Sequence, residues 1–142
     1  MDNFVPHKIS DDEWDGTLLG DVMAGFPSPE SEYKEEFDLK AMIVRHPAAT
    51  FYFNVEGCSM VDAGMDDGDI IVVDKSITPY DGCKAICYID GGFTVKQVKI
   101  SPDCVSLVPM NSLSGKFRTI EVSPDDRFTI WGVVTYIIKR VR

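Results

Sequence analysis

Ser59 is the residue whose type and setting best suit a nucleophile. It follows Gly57 and Cys58 after an alternating apolar run, residues 51–56, that predicts a strand. The segment is not the G-x-S-x-G elbow of many hydrolases, because position 61 is valine. Cys58 is a competing nucleophile, but its sequence neighbours offer no histidine or cationic side chain to activate a thiol. Since a serine after a strand is also compatible with a simple turn, the role of Ser59 depends on a partner base.

Histidine is scarce, which limits the bases available to Ser59. The two histidines are His7, in an acidic N-terminal stretch, and His46, directly before Pro47. We expect neither setting to hold an imidazole rigidly, as a Ser-His-Asp triad requires. A lysine is the alternative base.

Lys96 is the lysine best placed for that role. Strand alternation in residues 93–100 (FTVKQVKI) puts four side chains on one face: Thr94, Lys96, Val98 and Ile100. A free lysine titrates near about 10.4, and burial against apolar neighbours lowers its pKa by up to about 3 to 5 units. Lys96 would then be neutral, and a usable base, near physiological pH. The alternative is a side chain that snorkels to water, and Lys99 on the opposite face is the internal control.

The substrate bond is predicted within the chain itself. Ala24 and Gly25 are adjacent small residues in the acidic stretch, and Pro27 favours an extended backbone at Phe26. Small side chains let a backbone approach a nucleophile closely. Ala-Gly pairs also occur by chance in linkers, so the pair alone is weak evidence for a cleavage site.

The sequence predicts no metal site and no cofactor. The cysteines at positions 58, 83, 87 and 104 form no C-x-x-C pair and lie far from the histidines, which is poor zinc spacing. We expect reduced and mostly buried thiols. The acids Asp66, Asp67 and Asp69 lack the remaining ligands of a calcium loop, so a polar turn is the preferred interpretation.

Charge divides the chain into two parts. Of 142 residues, the first 36 hold ten acids against two lysines, which places −8 of the net −9 there. An acidic protein is not expected to grip nucleic acid directly, so protein partners are favoured. No apolar run is long enough for a membrane span and no signal peptide begins the sequence, which predicts a soluble, cytoplasmic protein.

Hydrophobic patterns predict a mainly β fold: a flexible acidic arm, residues 1–40, followed by one domain, residues 41–142. Residues 38–45 favour two helical turns capped by Asp38, with one apolar stripe. Strands are predicted at 51–56, 69–74, 84–89, 93–100, 104–110 and 128–138. A turn at Asp90, Gly91 and Gly92 joins the third and fourth strands as a hairpin. The last strand is apolar on both faces, which suggests that a second subunit covers one of them.

These segments together resemble the LexA-type repressor and self-peptidase family, and within it the UmuD-type accessory subunits of error-prone polymerases. The resemblance spans about residues 20–142 and rests on GFPSP (25–29), HPAAT (46–50), GCSM (57–60), DGDIIVVD (67–74), FTVK (93–96), LVPMNS (107–112) and GVV (132–134). It implies a single, strongly bent β domain of the β-clip type. It also implies that Ser59 attacks the Ala24-Gly25 bond while Lys96 accepts the serine proton.

The UmuD-type resemblance also implies a set of partners. Only 24 residues precede Gly25, which leaves no room for the DNA-reading domain of LexA-type repressors. The resemblance implies a homodimer whose cleavage is stimulated by RecA filaments on single-stranded DNA. The trimmed dimer would bind a Y-family, UmuC-like polymerase subunit, with the sliding clamp as a further partner, for translesion synthesis in the SOS response.

Two positions depart from the UmuD pattern. Cys58 stands where an acidic residue is common, and the predicted scissile pair is Ala-Gly instead of Cys-Gly. Neither change removes a required group. Two other interpretations stay open: a non-enzymatic β adaptor that uses its apolar C-terminal strand for contacts, and a phage or plasmid homologue that binds the same polymerase and RecA partners.

Overall fold

The structure of the protein is a computed structural model. It describes residues 7–8, 16–18, 22, 24–25, 27, 35–115, 117–122 and 128–141. The chain forms two compact units, the smaller comprising Ser10–Arg45 and the larger comprising Met1–Ile9 together with His46–Arg142. The predicted division into residues 1–40 and 41–142 stays a prediction.

The described residues are mainly β, as the sequence predicts. The strands are β1 (His7–Lys8), β2 (Gly16–Leu18), β3 (Glu35–Phe37), β4 (Thr50–Asn54), β5 (Ile70–Asp74), β6 (Lys84–Ile89), β7 (Gly92–Ile100), β8 (Val105–Val108), β9 (Ile120–Val122) and β10 (Phe128–Ile138). One helix, α1 (Leu39–Ile43), and two 3-10 turns, Pro47–Ala49 and Val61–Ala63, complete the described elements. In the larger unit, eight strands form one antiparallel sheet in the order β1-β4-β5-β10-β6-β7-β8-β9.

The smaller unit contains a short antiparallel pair, β2 with β3, followed by α1. Asp38 caps the helix as predicted, because its carboxylate accepts a hydrogen bond of 3.0 Å from the Ala41 N–H. The predicted apolar stripe is only partly covered, since no residue of α1 is buried. Among the described residues, no helix is long and apolar enough to span a membrane.

All six predicted strands are present, with ends shifted by zero to two residues. The hairpin turn between β6 and β7 is confirmed: Asp90 and Gly91 both have positive φ, 47° and 87°, as a type I′ turn requires. Four short strands were missed, namely β1, β2, β3 and β9. Each has only two or three residues, too few to produce an alternation that a sequence pattern reveals.

The core consists of two apolar clusters. One contains Phe53, Val55, Met60, Met65, Ile71, Val73, Ile86 and Val95, and the other contains Cys83, Ala85, Cys87, Val98, Leu107 and Val133. Successive side chains of a strand point to opposite faces, and both β6 and β7 contribute to both clusters. The clusters therefore lie on opposite faces of the sheet.

This two-sided core explains most of the apolar character of β10. The strand lies between β5 and β6, with Trp131 and Val134 packed on the first cluster and Ile130 on the second. Its middle is thus covered on both faces within one chain. Near the end of the strand, Ile137 and Ile138 are 36% and 45% exposed, so the predicted second subunit is not needed to cover the middle of β10.

Candidate active site

Ser59 lies in the loop that joins β4 to β5. The base of this loop is closed by two backbone hydrogen bonds of 2.8 Å, from Val55 N–H to the Asp69 carbonyl and from Gly68 N–H to the Val55 carbonyl. Gly57 turns the chain with φ of +87°, a conformation that L residues rarely adopt, and its N–H donates to Asp67 Oδ1 at 2.8 Å. The loop is therefore fixed just before the serine.

The aspartates of this loop all have protein partners. Asp66 and Asp69 both accept hydrogen bonds from Lys139 Nζ, and Asp67 accepts from the backbone at Gly57. The hydrogen bond from Lys139 lowers the pKa of Asp69, and the two carboxylates raise the pKa of Lys139. This agrees with the predicted polar turn. Within the described ranges, no cluster of three or more His, Cys, Asp or Glu side chains is arranged to hold a metal ion.

A second segment, residues 109–112, supports Ser59 from another part of the sheet. Met110 N–H donates to the Ser59 carbonyl at 2.7 Å, and Asp62 N–H donates to the Met110 carbonyl at 2.6 Å. Asn111 Nδ2 donates to the Cys58 carbonyl at 2.8 Å. The sequence marked this segment only as part of the LVPMNS match. The segment and the serine are about fifty positions apart in sequence, so no local sequence pattern indicates that they are in contact.

Lys96 lies on β7 with its amine at Ser59. Its Nζ is 3.1 Å from Ser59 Oγ, 3.1 Å from Thr94 Oγ1 and 3.2 Å from the Val95 carbonyl oxygen. The fold thus brings together two predicted site residues that are 37 positions apart. Thr94 is a contact that the sequence analysis did not assign, although it shares the predicted strand face with Lys96.

Burial sets the protonation preference of Lys96. The side chain is half-buried, and loss of water lowers its pKa, while the neighbouring Cys87 opposes this shift in part. Burial also raises the pKa of the Cys87 thiol to about 12, with the nearby Cys83 adding to the effect. The snorkelling alternative does not fit Lys96, whose amine is turned toward Ser59, whereas Lys99 on the same strand is exposed.

The other candidate groups lie elsewhere or lack activation. All four cysteines are free thiols, as predicted, but the expectation that most are buried is wrong, because Cys83 and Cys87 are buried whereas Cys58 and Cys104 are exposed. Exposure alone does not activate a thiol, because an activated cysteine needs a cationic group or a helix N-terminus beside it.

The expectation that His46 is loosely held is wrong. Its Nδ1 lies 2.6 Å from Asp74 Oδ2, and Asp74 is buried. Although burial opposes ionisation, hydrogen bonds from Ser76 and His46 hold the pKa of Asp74 below its usual value. The partner that fixes this imidazole is Asp74, which lies 28 positions along the chain and was not visible as a pair in the sequence.

The predicted cleavage bond lies in the smaller unit. Ala24 and Gly25 form an exposed bend, and Gly25 has φ of +122°, which only glycine adopts readily. The predicted extended shape at Phe26 lies outside the described residues. An exposed, sharply bent peptide between small residues is accessible to a protease.

Comparisons with known proteins define the family. Residues 17–135 match Peptidase S24-like proteins. Protein ImpA of Salmonella typhimurium is 41% identical over 134 residues, which cover 93% of this chain and 89% of ImpA. Protein MucA of Salmonella typhimurium is 42% identical over 118 residues, covering 81% of this chain and 77% of MucA. The LexA repressor of Stenotrophomonas maltophilia (strain R551-3) is 33% identical over 122 residues, covering 86% of this chain and 56% of the repressor.

The mainly β fold and the match over residues 17–135 place the chain in a class of peptidases. The chain belongs to the Peptidase S24-like family, and the resemblance to LexA-like and UmuD-like proteins is confirmed. Autocatalytic serine peptidase activity is general to this family. Together the family and the relatives support an UmuD-like self-cleaving protein of SOS mutagenesis.

Proposed function

We propose that the chain cuts its own Ala24-Gly25 bond, with Ser59 as nucleophile and Lys96 as general base. The observation that carries the proposal is the 3.1 Å separation between Lys96 Nζ and Ser59 Oγ. A general base must lie within hydrogen-bond reach of the proton that it removes, and this separation meets that condition. The lowered pKa of Lys96 makes the neutral amine more available.

The three contacts of Lys96 fit a neutral amine. A neutral lysine has two N–H donors and one lone pair, and the side chain has three oxygen neighbours. Thr94 Oγ1 and the Val95 carbonyl accept the two N–H groups. The lone pair then faces the hydroxyl of Ser59, which donates its proton to it. Thr94 is therefore a positioning residue for the base.

The reaction follows from this arrangement. Ser59 Oγ attacks the Ala24 carbonyl carbon while its proton moves to Lys96 Nζ. The tetrahedral intermediate then collapses, the bond from the Ala24 carbon to the Gly25 nitrogen breaks, and Lys96 gives its proton to that nitrogen. Water hydrolyses the resulting ester, again with Lys96 as base, and restores the serine. The backbone N–H of Ser59 serves as an oxyanion donor during both steps.

The consequence of the cut is a change in charge and in partners. The product is residues 25–142, and removal of six acids and one lysine changes the net charge from −9 to −4. In this proposal residues 1–40 form the acidic arm and residues 41–142 form the peptidase and dimerisation domain. The four free thiols suit the reducing cytoplasm, where we locate the protein.

The cellular role extends the UmuD-like resemblance. RecA filaments on single-stranded DNA stimulate the cut, and the trimmed homodimer serves as accessory subunit of a Y-family, UmuC-like translesion polymerase, with the sliding clamp as a further partner. Loss of residues 1–24 from the acidic arm changes which of these partners dock, because charge steers protein association. Intact and trimmed protein should therefore differ in affinity for RecA filaments and for the polymerase subunit. Equal affinities for both forms would exclude the switch.

Incubation of the purified protein, with product masses measured, tests the chemistry. The natural protein should yield a fragment that begins at Gly25, whereas Ser59→Ala and Lys96→Ala should yield none. Lys99→Ala is the matched control, since it removes an exposed lysine from the same strand. Cys58→Ser should also still cut. If either dyad variant produced the Gly25 fragment, Ser59 and Lys96 would not form the catalytic pair.

A further inference from the structure

Asn111 reaches across to the peptide that joins Cys58 to Ser59. Its Nδ2 donates to the Cys58 carbonyl at 2.8 Å, although the two residues are 53 positions apart. Asn111 is half-buried in the segment after β8. The proposed reaction described above assigns no role to this side chain.

Neighbouring backbone groups of the serine segment are held as well. The Gly57 N–H is fixed by Asp67, and the Ser59 carbonyl is fixed by the Met110 N–H at 2.7 Å. Met110 contributes only its backbone to this bond. The peptide between these two points is held by the Asn111 side chain at 2.8 Å and, at the longer distance of 3.4 Å, by the Val61 N–H, which also donates to the Cys58 carbonyl.

Peptide geometry turns this contact into a constraint on the nucleophile. A trans peptide is planar, and its C=O and N–H point in opposite directions. No cis peptide bond occurs among the described residues. When Asn111 holds the Cys58 carbonyl, it also fixes the direction of the Ser59 N–H, which belongs to the same peptide and points away from Asn111.

We infer that Asn111 is a positioning residue that orients the Ser59 N–H as the oxyanion donor in self-cleavage. This inference rests on the proposed function. A preorganised donor stabilises the negative charge that develops on the Ala24 carbonyl oxygen, and a donor whose direction fluctuates does this less well. An amide suits the task because its NH2 group is a neutral donor, whereas a carboxylate would repel the Cys58 carbonyl.

The test compares self-cleavage of the natural protein with Asn111→Leu, which keeps the branched shape but has no donor. Loss of an oxyanion donor costs about 10² to 10³ in kcat. In Asn111→Leu the Ser59 N–H is still present but its direction is no longer held, so we expect the cleavage rate to fall by about tenfold or more. Asn111→Gln, which restores the amide, should be clearly faster than Asn111→Leu. Leu113→Ala is the matched control, because Leu113 is 96% exposed two residues away.

Two further readouts separate positioning from a general structural role. The pH midpoint of cleavage should be unchanged in Asn111→Leu, because the contacts of Lys96 Nζ do not include Asn111. Thermal unfolding of each variant shows whether it folds, and Asn111→Ala replaces Asn111→Leu if the latter does not. A wild-type rate in the donor-free variant, a shifted pH midpoint, or an equal loss in Asn111→Gln would overturn the inference.

A parallel Ser59→Ala sample distinguishes this inference from the proposed function. If Ser59→Ala still produced the Gly25 fragment, the proposed nucleophile would be wrong whatever Asn111 does. If Ser59→Ala were inactive while Asn111→Leu cut at the wild-type rate, the role proposed for Asn111 would be wrong and the proposed nucleophile would be unaffected.

Discussion

Replacing Thr94 with valine removes one of the three oxygen neighbours of Lys96 Nζ while keeping the shape of the side chain. In the protonated lysine, all three N–H groups have acceptors at Ser59, Thr94 and Val95. In Thr94→Val one of these N–H groups has no acceptor. The neutral amine also loses an acceptor, but a hydrogen bond from a charged group is worth more than one from a neutral group.

This difference between charged and neutral hydrogen bonds determines the direction and size of the change in the pH dependence of cleavage. A bond from a charged donor contributes about 1.5 to 3 kcal/mol and a neutral one about 0.5 to 1.5 kcal/mol, so the protonated form is penalised by about 1 kcal/mol more. Because one pKa unit corresponds to about 1.4 kcal/mol, this penalty lowers the pKa of Lys96 in Thr94→Val by roughly a further 0.7. Cleavage in Thr94→Val should therefore begin at lower pH.

The same substitution should reduce the maximum rate. Without Thr94 Oγ1 the amine rotates more freely and its lone pair faces Ser59 for less of the time, so the plateau at high pH should fall by about tenfold. The assay is the rate of formation of the fragment beginning at Gly25, followed by mass spectrometry across the pH range. Thr135→Val is the control, since Thr135 Oγ1 donates to the Val72 carbonyl instead. An unchanged or raised pH midpoint in Thr94→Val would refute this account of how Lys96 is held.

Two further predictions concern stability. A Cβ added at Gly132 would lie 2.5 Å from Val73 Cγ1, so Gly132→Ala should cost about 1 to 3 kcal/mol in the free energy of unfolding measured with urea. Gly115→Ala has open space and should change it by less than about 0.5 kcal/mol; equal effects would contradict the packing argument. Because the pKa of Asp74 is lowered, its ionised form stabilises the fold above about pH 4, and this is lost as pH falls through the folded-state pKa. Asp74→Asn should lower stability at neutral pH and flatten the acid dependence seen by thermal unfolding, and an unchanged acid dependence would show that Asp74 does not contribute.

The sequence predicted most of the sheet because its long strands carry clear patterns. The alternation in residues 93–100 placed Thr94 and Lys96 on one face, and in the structure Thr94 Oγ1 is indeed a neighbour of the lysine amine. Strand β9 was missed because three residues carry no period. The two-sided apolar pattern of β10 was assigned in part to a second subunit, whereas packing on two faces of one sheet accounts for most of it.

Contacts between distant segments were less predictable. The pairing of His46 with Asp74 reversed the expectation of a loosely held imidazole, since nothing in the residues around His46 indicates a buried carboxylate. Asn111 was visible only as part of a matched segment, because its contact with Cys58 forms when the loops after β4 and β8 meet. The scarcity of histidine and the strand face made the serine and the lysine candidates, and the family resemblance joined them as a pair, but the groups that hold them depend on the folded loops.

The measurement that tests the central claim most directly is the pH dependence of self-cleavage, from about pH 7 to about pH 10, in the natural protein and in Lys96→Arg. Arginine keeps the hydrogen-bond donors and the charge but stays protonated throughout this range. The account predicts that the natural protein forms the Gly25 fragment about tenfold faster for each pH unit, until the pH reaches the pKa of Lys96, which burial holds below the free value of about 10.4. It also predicts that Lys96→Arg forms no fragment. A rate independent of pH, or the same fragment from Lys96→Arg at the wild-type rate, would contradict the claim that neutral Lys96 activates Ser59.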